Sequence, residues 1–99
     1  MKNICSVVWS EEAVENLSKT LHYLEENWTE KEIRKFAVKI EKLISIIEIH
    51  PDSFPEAAKS NVRKAVLTRQ VTLYYYVDNN VIYIITLFDS RQNPEKLKL

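Results

Sequence analysis

The sequence predicts an α+β fold, an N-terminal strand and an αα-hairpin packed on a mainly antiparallel sheet that ends in a three-strand meander. Three observations carry this prediction. Apolar residues recur at helical spacing through the first half of the chain. From Val62 onward the period switches to that of strands. A capping box and a proline mark the second helix at both ends. An αα-hairpin covering a meander, with the first strand joining the sheet, is the economical way to bury both patterns.

The elements follow in order. Ile4 to Trp9 is a short β-like run, and Ser10 after it reads as an N-cap. Glu11 and Glu12 then sit where a carboxylate favours the positive end of the helix dipole. Val14, Leu17, Leu21, Leu24 and Trp28, at spacings of three and four, predict the inward stripe of a helix about four turns long. Thr29-Glu30-Lys31-Glu32 has the form of a capping box, with Trp28 and Ile33 at the positions of a hydrophobic staple. Ile33, Phe36, Ala37, Ile40, Ile44 and Ile47 line the second helix, and Glu30 with Arg34 makes an i,i+4 pair worth a few tenths of a kcal/mol. His50-Pro51 ends it, and Pro51 to Asn61 forms a polar surface connection.

Strands are expected at Val62 to Val66, Val71 to Val77 and Val81 to Leu87. Asp78-Asn79-Asn80 joins the last two, since asparagine tolerates positive φ best among residues other than glycine. The run Val81 to Leu87 is apolar at both parities, which predicts an interior strand. Tyr75 is expected to face away from Tyr74 and Tyr76.

Composition removes several function classes. With 99 residues, 45% hydrophobic and 28% charged, the chain reads as one globular domain over residues 1–99. It contains no glycine, which excludes the Walker, dinucleotide and kinase phosphate loops, the nucleophile elbow and the EF-hand. Cys5 is the single cysteine, and His22 and His50 fit no metal-ligand spacing, so neither metal nor cofactor is expected. No signal peptide and no apolar run of membrane-spanning length is apparent; with a free thiol this points to the cytoplasm. Net charge is zero but polarised: residues 1–57 carry 7 Lys/Arg against 11 Asp/Glu, and residues 58–99 carry 7 against 3. Zero overall charge argues against strong nonspecific nucleic-acid binding, while leaving room for a local basic face. Lys31, Lys35, Lys39 and Lys42 form a basic stripe on the second helix, for which a solvated face is the default.

Several segments together resemble one family. They are Val8-Trp9-Ser10-Glu11-Glu12-Ala13, Tyr23-Leu24 with Asn27-Trp28, the Pro51…Phe54-Pro55 loop, Arg63, Tyr74-Tyr75-Tyr76-Val77, and the tail Phe88-Asp89-Ser90-Arg91-Gln92-Asn93-Pro94. In order and spacing they are similar to the RelE/ParE superfamily, the toxins of type II toxin–antitoxin modules, over nearly the whole chain. The resemblance implies a cognate antitoxin whose partly disordered segment folds onto the toxin, and a toxin–antitoxin hetero-oligomer. It also implies a cytoplasmic target, either DNA gyrase for ParE-like members or the ribosome and its messenger RNA for RelE-like nucleases.

Residue by residue, the ParE-like branch is favoured. RelE-like nucleases place basic residues at alternate positions of the first meander strand, an arginine on the second strand, and an arginine plus a histidine or tyrosine near the end. Arg63 and Arg91 match that pattern, and both are the catalytic candidates if the chain is a nuclease. Ala65, Thr72 and Asp89 depart from it, and no tyrosine or histidine follows Tyr83. Without an acid or base there is little to activate a ribose hydroxyl. The expected target-binding set is Arg63, Arg69, Arg91 and Asn93, each also readable as an ordinary surface or ion-paired residue. A degenerate, inactive member kept for partner binding is the remaining alternative.

Overall fold

The computed structural model describes residues 6–57 and 61–90. Ile4, Cys5, Arg91, Gln92, Asn93 and Pro94 lie outside the described residues. The elements run β1 (Ser6–Trp9), α1 (Glu11–Asn27), α2 (Glu30–Ile49), β2 (Arg63–Val66), β3 (Val71–Asp78) and β4 (Val81–Asp89). The sheet order is β1-β4-β3-β2, with β1 parallel to β4 and the other pairs antiparallel. This is the expected α+β arrangement: β4 is interior, and the meander follows the hairpin.

Local chemistry explains the element ends. Ser10 Oγ accepts the Ala13 amide at 2.9 Å, and Thr29 and Glu32 complete a reciprocal capping box. His50 is the C-cap of α2, ahead of Pro51. Asn79 and Asn80 adopt φ of 51° and 64°, so the turn is the two-residue kind that needs positive φ at both positions. Asp78 ends β3 rather than belonging to the turn, and β4 runs two residues past Leu87 to Asp89.

One face of the sheet supplies Ala65, Leu73, Tyr75, Ile82, Ile84 and Leu87 to a core shared with Leu24 of α1 and Phe36, Ile40, Leu43 and Ile47 of α2. A register shift between Tyr74 and Tyr75 skips Ile85 of β4, which lets Ile84 and Leu87 both reach that core. Two helical stripes are phased differently from expectation. Val14 is exposed; α1 turns Ala13, Thr20 and Leu24 inward instead. α1 packs against β4, and the small Ala13 and Thr20 are among the residues it buries. On α2, Ala37 is exposed and Leu43 takes its place in the core, since leucine buries far more apolar area.

The two sheet edges are covered by different means. β1 pairs only with Val81–Ile84, and β4 continues beyond it. There Ser10 N donates to Ile84 O at 3.0 Å and Ser10 Oγ to Ile85 O at 2.7 Å. Asn16 Oδ1 accepts from Leu87 N at 3.3 Å and from Thr86 Oγ1 at 2.6 Å. The start of α1 therefore satisfies backbone groups that a longer β1 would have paired. At the opposite edge the segment Pro55–Ala57 lies beside β2: Lys64 N donates to Pro55 O at 3.0 Å, and Ala57 N to Val62 O at 2.7 Å. Among the described residues no helix is long and apolar enough to cross a membrane.

Candidate functional site

Arg63 opens β2 opposite Tyr75 of β3, on the face that carries the core. The loop after α2 folds over the pair. Arg63 Nη1 donates to Phe54 O at 2.6 Å, while Nη2 lies 3.8 Å from Asp52 Oδ1 and 4.0 Å from Glu56 Oε2. Tyr75 Oη donates to Pro51 O at 2.8 Å, and the Phe54 ring meets the Tyr75 ring edge-on at 6.2 Å. Burial pushes the Tyr75 hydroxyl up to about 12; the Arg63 charge opposes that rise and Asp52 adds to it. Arg63 is thus a clamp on residues 51–57, its guanidinium held by a carbonyl and two carboxylates.

The positions flanking Arg63 show how the nuclease pattern maps onto the fold. Ala65 shares the core-facing side and is fully buried, so the small side chain is what that packing accepts. Thr72 points to the other side of the sheet, opposite Val66 and Phe88. Asp89 is buried at the end of β4, opposite Val71. Among the described residues Lys64, beside Tyr74, puts a cation on the side of the sheet away from the core, which sequence reasoning missed. Strand parity relative to Ala65 was the signal that could have found it.

Arg69 sits apart from Arg63, past the far end of β2. The turn presenting it is tightly built: Thr68 Oγ1 accepts from Gln70 N and Val71 N, and Ser90 N donates to Gln70 O at 2.6 Å. Next to it, where the helical hairpin meets the sheet, is a groove of about 200 Å³ lined by Trp28, Glu32, Lys35, Phe36, Lys39 and Thr68. Trp28 meets Phe36 edge-on there, with ring centroids 6.4 Å apart. Arg69 therefore follows Thr68 of that groove in the chain, while Arg63 is at the loop. Arg91 and Asn93 lie outside the described residues.

The sheet face turned away from the helices carries a Tyr76–Tyr83 stack, 4.9 Å between centroids and 20° from parallel. Val8 flanks Tyr83 in register, and Val66 is 66% exposed on the edge strand. This face holds more exposed apolar surface than scattered single residues would. Among the described residues no cluster of His, Cys, Asp and Glu could hold a metal ion.

A family model described as the ParE toxin of the type II toxin–antitoxin system parDE matches residues 7–94. The chain belongs to this family. The ParE-family chain is similar in fold to a protein of the chromosomal ParDE toxin–antitoxin system of P. aeruginosa, with 14% identity and a TM-score of 0.72 over 89% of this chain and 98% of the other. It is similar also to a YoeB/ParE toxin from Agrobacterium tumefaciens, at 11% identity and TM-score 0.64, over 85% of this chain and 96% of that one. A third likeness, at 20% identity and TM-score 0.58, is to the YoeB–YefM complex from Staphylococcus aureus, covering 85% and 94% of the two chains. No protein of curated function matches the sequence. The fold is thus that of the RelE/ParE-like toxins, and the family model places the sequence among the ParE toxins.

Proposed function

We propose that this ParE-family chain arrests growth by binding an essential target of the DNA gyrase type, without chemistry of its own, and that a cognate antitoxin neutralises it. The carrying observation is the environment of Arg63. Its guanidinium is held by the loop, Ala65 beside it is core, and Thr72 lies on the opposite side of the sheet. Phosphoryl chemistry on RNA needs several cations and an acid and base converging on one phosphate, and this arrangement supports binding better than that. Arg63, Arg69, Arg91 and Asn93 are the contacts we assign to the target, Arg63 also holding the loop that follows α2.

An antitoxin is supported by the neighbours, several of which are toxin–antitoxin complexes. The groove at Trp28, Phe36 and Thr68 gives a disordered segment an apolar seat on which to fold, yielding a toxin–antitoxin hetero-oligomer. Work of this kind belongs in the cytoplasm.

Inducible expression in a bacterial host tests the target, with and without the neighbouring small gene. Gyrase supercoiling and messenger-RNA 5′ ends are read in parallel. Lost supercoiling with intact messages, reversed by co-expression of the neighbouring gene, is the expected result. Codon-phased message cleavage would instead establish a ribosome-dependent endoribonuclease in which Arg63 and Arg91 take part.

A further inference from the structure

Arg63 is assigned to the target, yet the loop after α2 already occupies its guanidinium. It does so in a way that is weak for an arginine. A guanidinium presents its donors as a rigid fork that fits an oxyanion with two parallel bonds. Here Nη1 donates to one neutral carbonyl, Phe54 O. Nη2 has Asp52 Oδ1 at 3.8 Å and Glu56 Oε2 at 4.0 Å, past hydrogen-bond reach, on side chains 87% and 54% exposed. Among the described residues, no oxyanion takes the fork by two parallel bonds. The loop itself is pinned at its ends and lightly held between them. Pro51 O accepts from Tyr75 Oη at 2.8 Å, and the buried Ala57 donates its amide to Val62 O at 2.7 Å. Between these pins Asp52, Ser53, Pro55 and Glu56 are exposed, Ser53 bonds back to His50 O, and the Phe54 ring lies edge-on to Tyr75. Its hold on β2 is one bridge, Glu56 with Arg63, and Lys64 N on Pro55 O at 3.0 Å, rather than a strand ladder.

We infer that residues 52–56 are an autoinhibitory strap, which holds Arg63 until a carboxylate of the target protein displaces it. The inference rests on the reading that Arg63 meets the target, and it adds how that contact is regulated. Asp52 and Glu56 show the chemistry the guanidinium draws to itself. An incoming carboxylate offers the same group in the bidentate geometry that those two lack. The exchange costs little, because two exposed carboxylates return to water and water replaces the one bond lost at Phe54 O. A nucleic acid is the poorer fit. Its phosphates come in a row, whereas the next cation along β2, Lys64, points to the other side of the sheet. Arg69 lies past the far end of the strand. One guanidinium under a loop suits a single carboxylate. When the strap lifts, Pro55 O leaves Lys64 N and Glu56 leaves Arg63, so both contacts with β2 break together.

The test uses the full chain, isotope-labelled, and a capped tripeptide with one central glutamate as the probe. On titration the Arg63 Nε–H signal should move, and the amides of Phe54 and Glu56 should move with it. Asp52→Asn with Glu56→Gln removes the internal carboxylates and should tighten the tripeptide about fivefold, since more of the chain is then competent to bind. In that double variant the Lys64 amide should exchange with solvent about threefold faster. In cells it should arrest growth at about threefold less inducer, and adding Arg63→Ala should cancel the gain. A merely structural clamp predicts the opposite sign, because loosening it would weaken the fold and the target contact alike. Should the double variant melt early, Asp52→Asn alone replaces it. Equal tripeptide affinity with and without the carboxylates, or a gain that survives Arg63→Ala, would overturn the proposal. So would a thymidine oligonucleotide that moves the Arg63 signal when the tripeptide does not. If no version of the chain arrests growth, the target reading fails while the titration still decides the strap.

Discussion

The two edges of the sheet face the same problem and solve it with different chemistry. Where β4 runs past β1, neutral hydrogen bonds from the start of α1 take over: Ser10 bonds Ile84 O and Ile85 O, and Asn16 takes Leu87 N. At the β2 edge a loop is held down by a cation and a tyrosine: Arg63 on Phe54 O, with Asp52 and Glu56 near, and Tyr75 on Pro51 O. The first edge is built by residues that also start a helix, so its geometry comes with the helix. The second depends on charges that salt screens and on a tyrosine that ionises in base. The helix-covered edge is the structural one, and the loop-covered edge is the adjustable one.

Substitutions can break that contrast, the largest effect coming from Tyr75. Tyr75→Ala removes a fully buried ring from the core together with the Pro51 contact, and should cost about 3–5 kcal/mol in denaturant unfolding. The same tyrosine ties this edge to pH. Its pKa is pushed from 10.0 to about 12 in the folded chain. Below pH 10 both states keep the proton; above it the unfolded chain ionises first, so stability should fall up to about pH 12. Tyr75→Phe should remove that part of the alkaline loss, seen by comparing urea midpoints of the two proteins at pH 9 and pH 11.

Next in size is the other edge. Asn16→Ala leaves Leu87 N and Thr86 Oγ1 without their acceptor and should cost about 1–3 kcal/mol, with little dependence on salt. An unchanged midpoint would mean that α1 does not stand in for a strand there. Arg63→Ala should cost about 1–2 kcal/mol, since one charge-assisted bond to a carbonyl is lost. If Arg63→Ala lowers toxicity while a lysine at the same position restores stability but not toxicity, the side chain meets the target as well as the loop. Smallest is Asp52→Asn, within about 0.5 kcal/mol, because that carboxylate is 87% exposed and 3.8 Å from its partner.

Much of this was legible in the sequence, for reasons that differ by residue. Ser10, Thr29-Glu32, His50-Pro51 and Asn79-Asn80 act through bonds within a few residues, and such signals survive without tertiary context. Periodicity alone misplaced the phase of α1: Val14 is the more apolar residue, yet Ala13 faces in. Arg63 was legible as a position but not as a clamp, since Phe54 O, Asp52 and Glu56 come to it from a connection with no periodic signal. Lys64 escaped notice because its meaning depends on which side of β2 the helices cover, and only Ala65 settles that.

The parallel pairing of Ser6 with Val81 has a consequence for how the molecule is made. The helical hairpin can close as soon as its own residues have left the ribosome, whereas β1 must wait for β4, almost the whole chain later. Until Val81–Ile84 emerge, β1 is a bare strand on a nascent polypeptide. Its completion is a long-range loop closure and comes late in assembly. In the interval between hairpin and finished sheet, the growing chain carries its helices without the strand that completes the sheet.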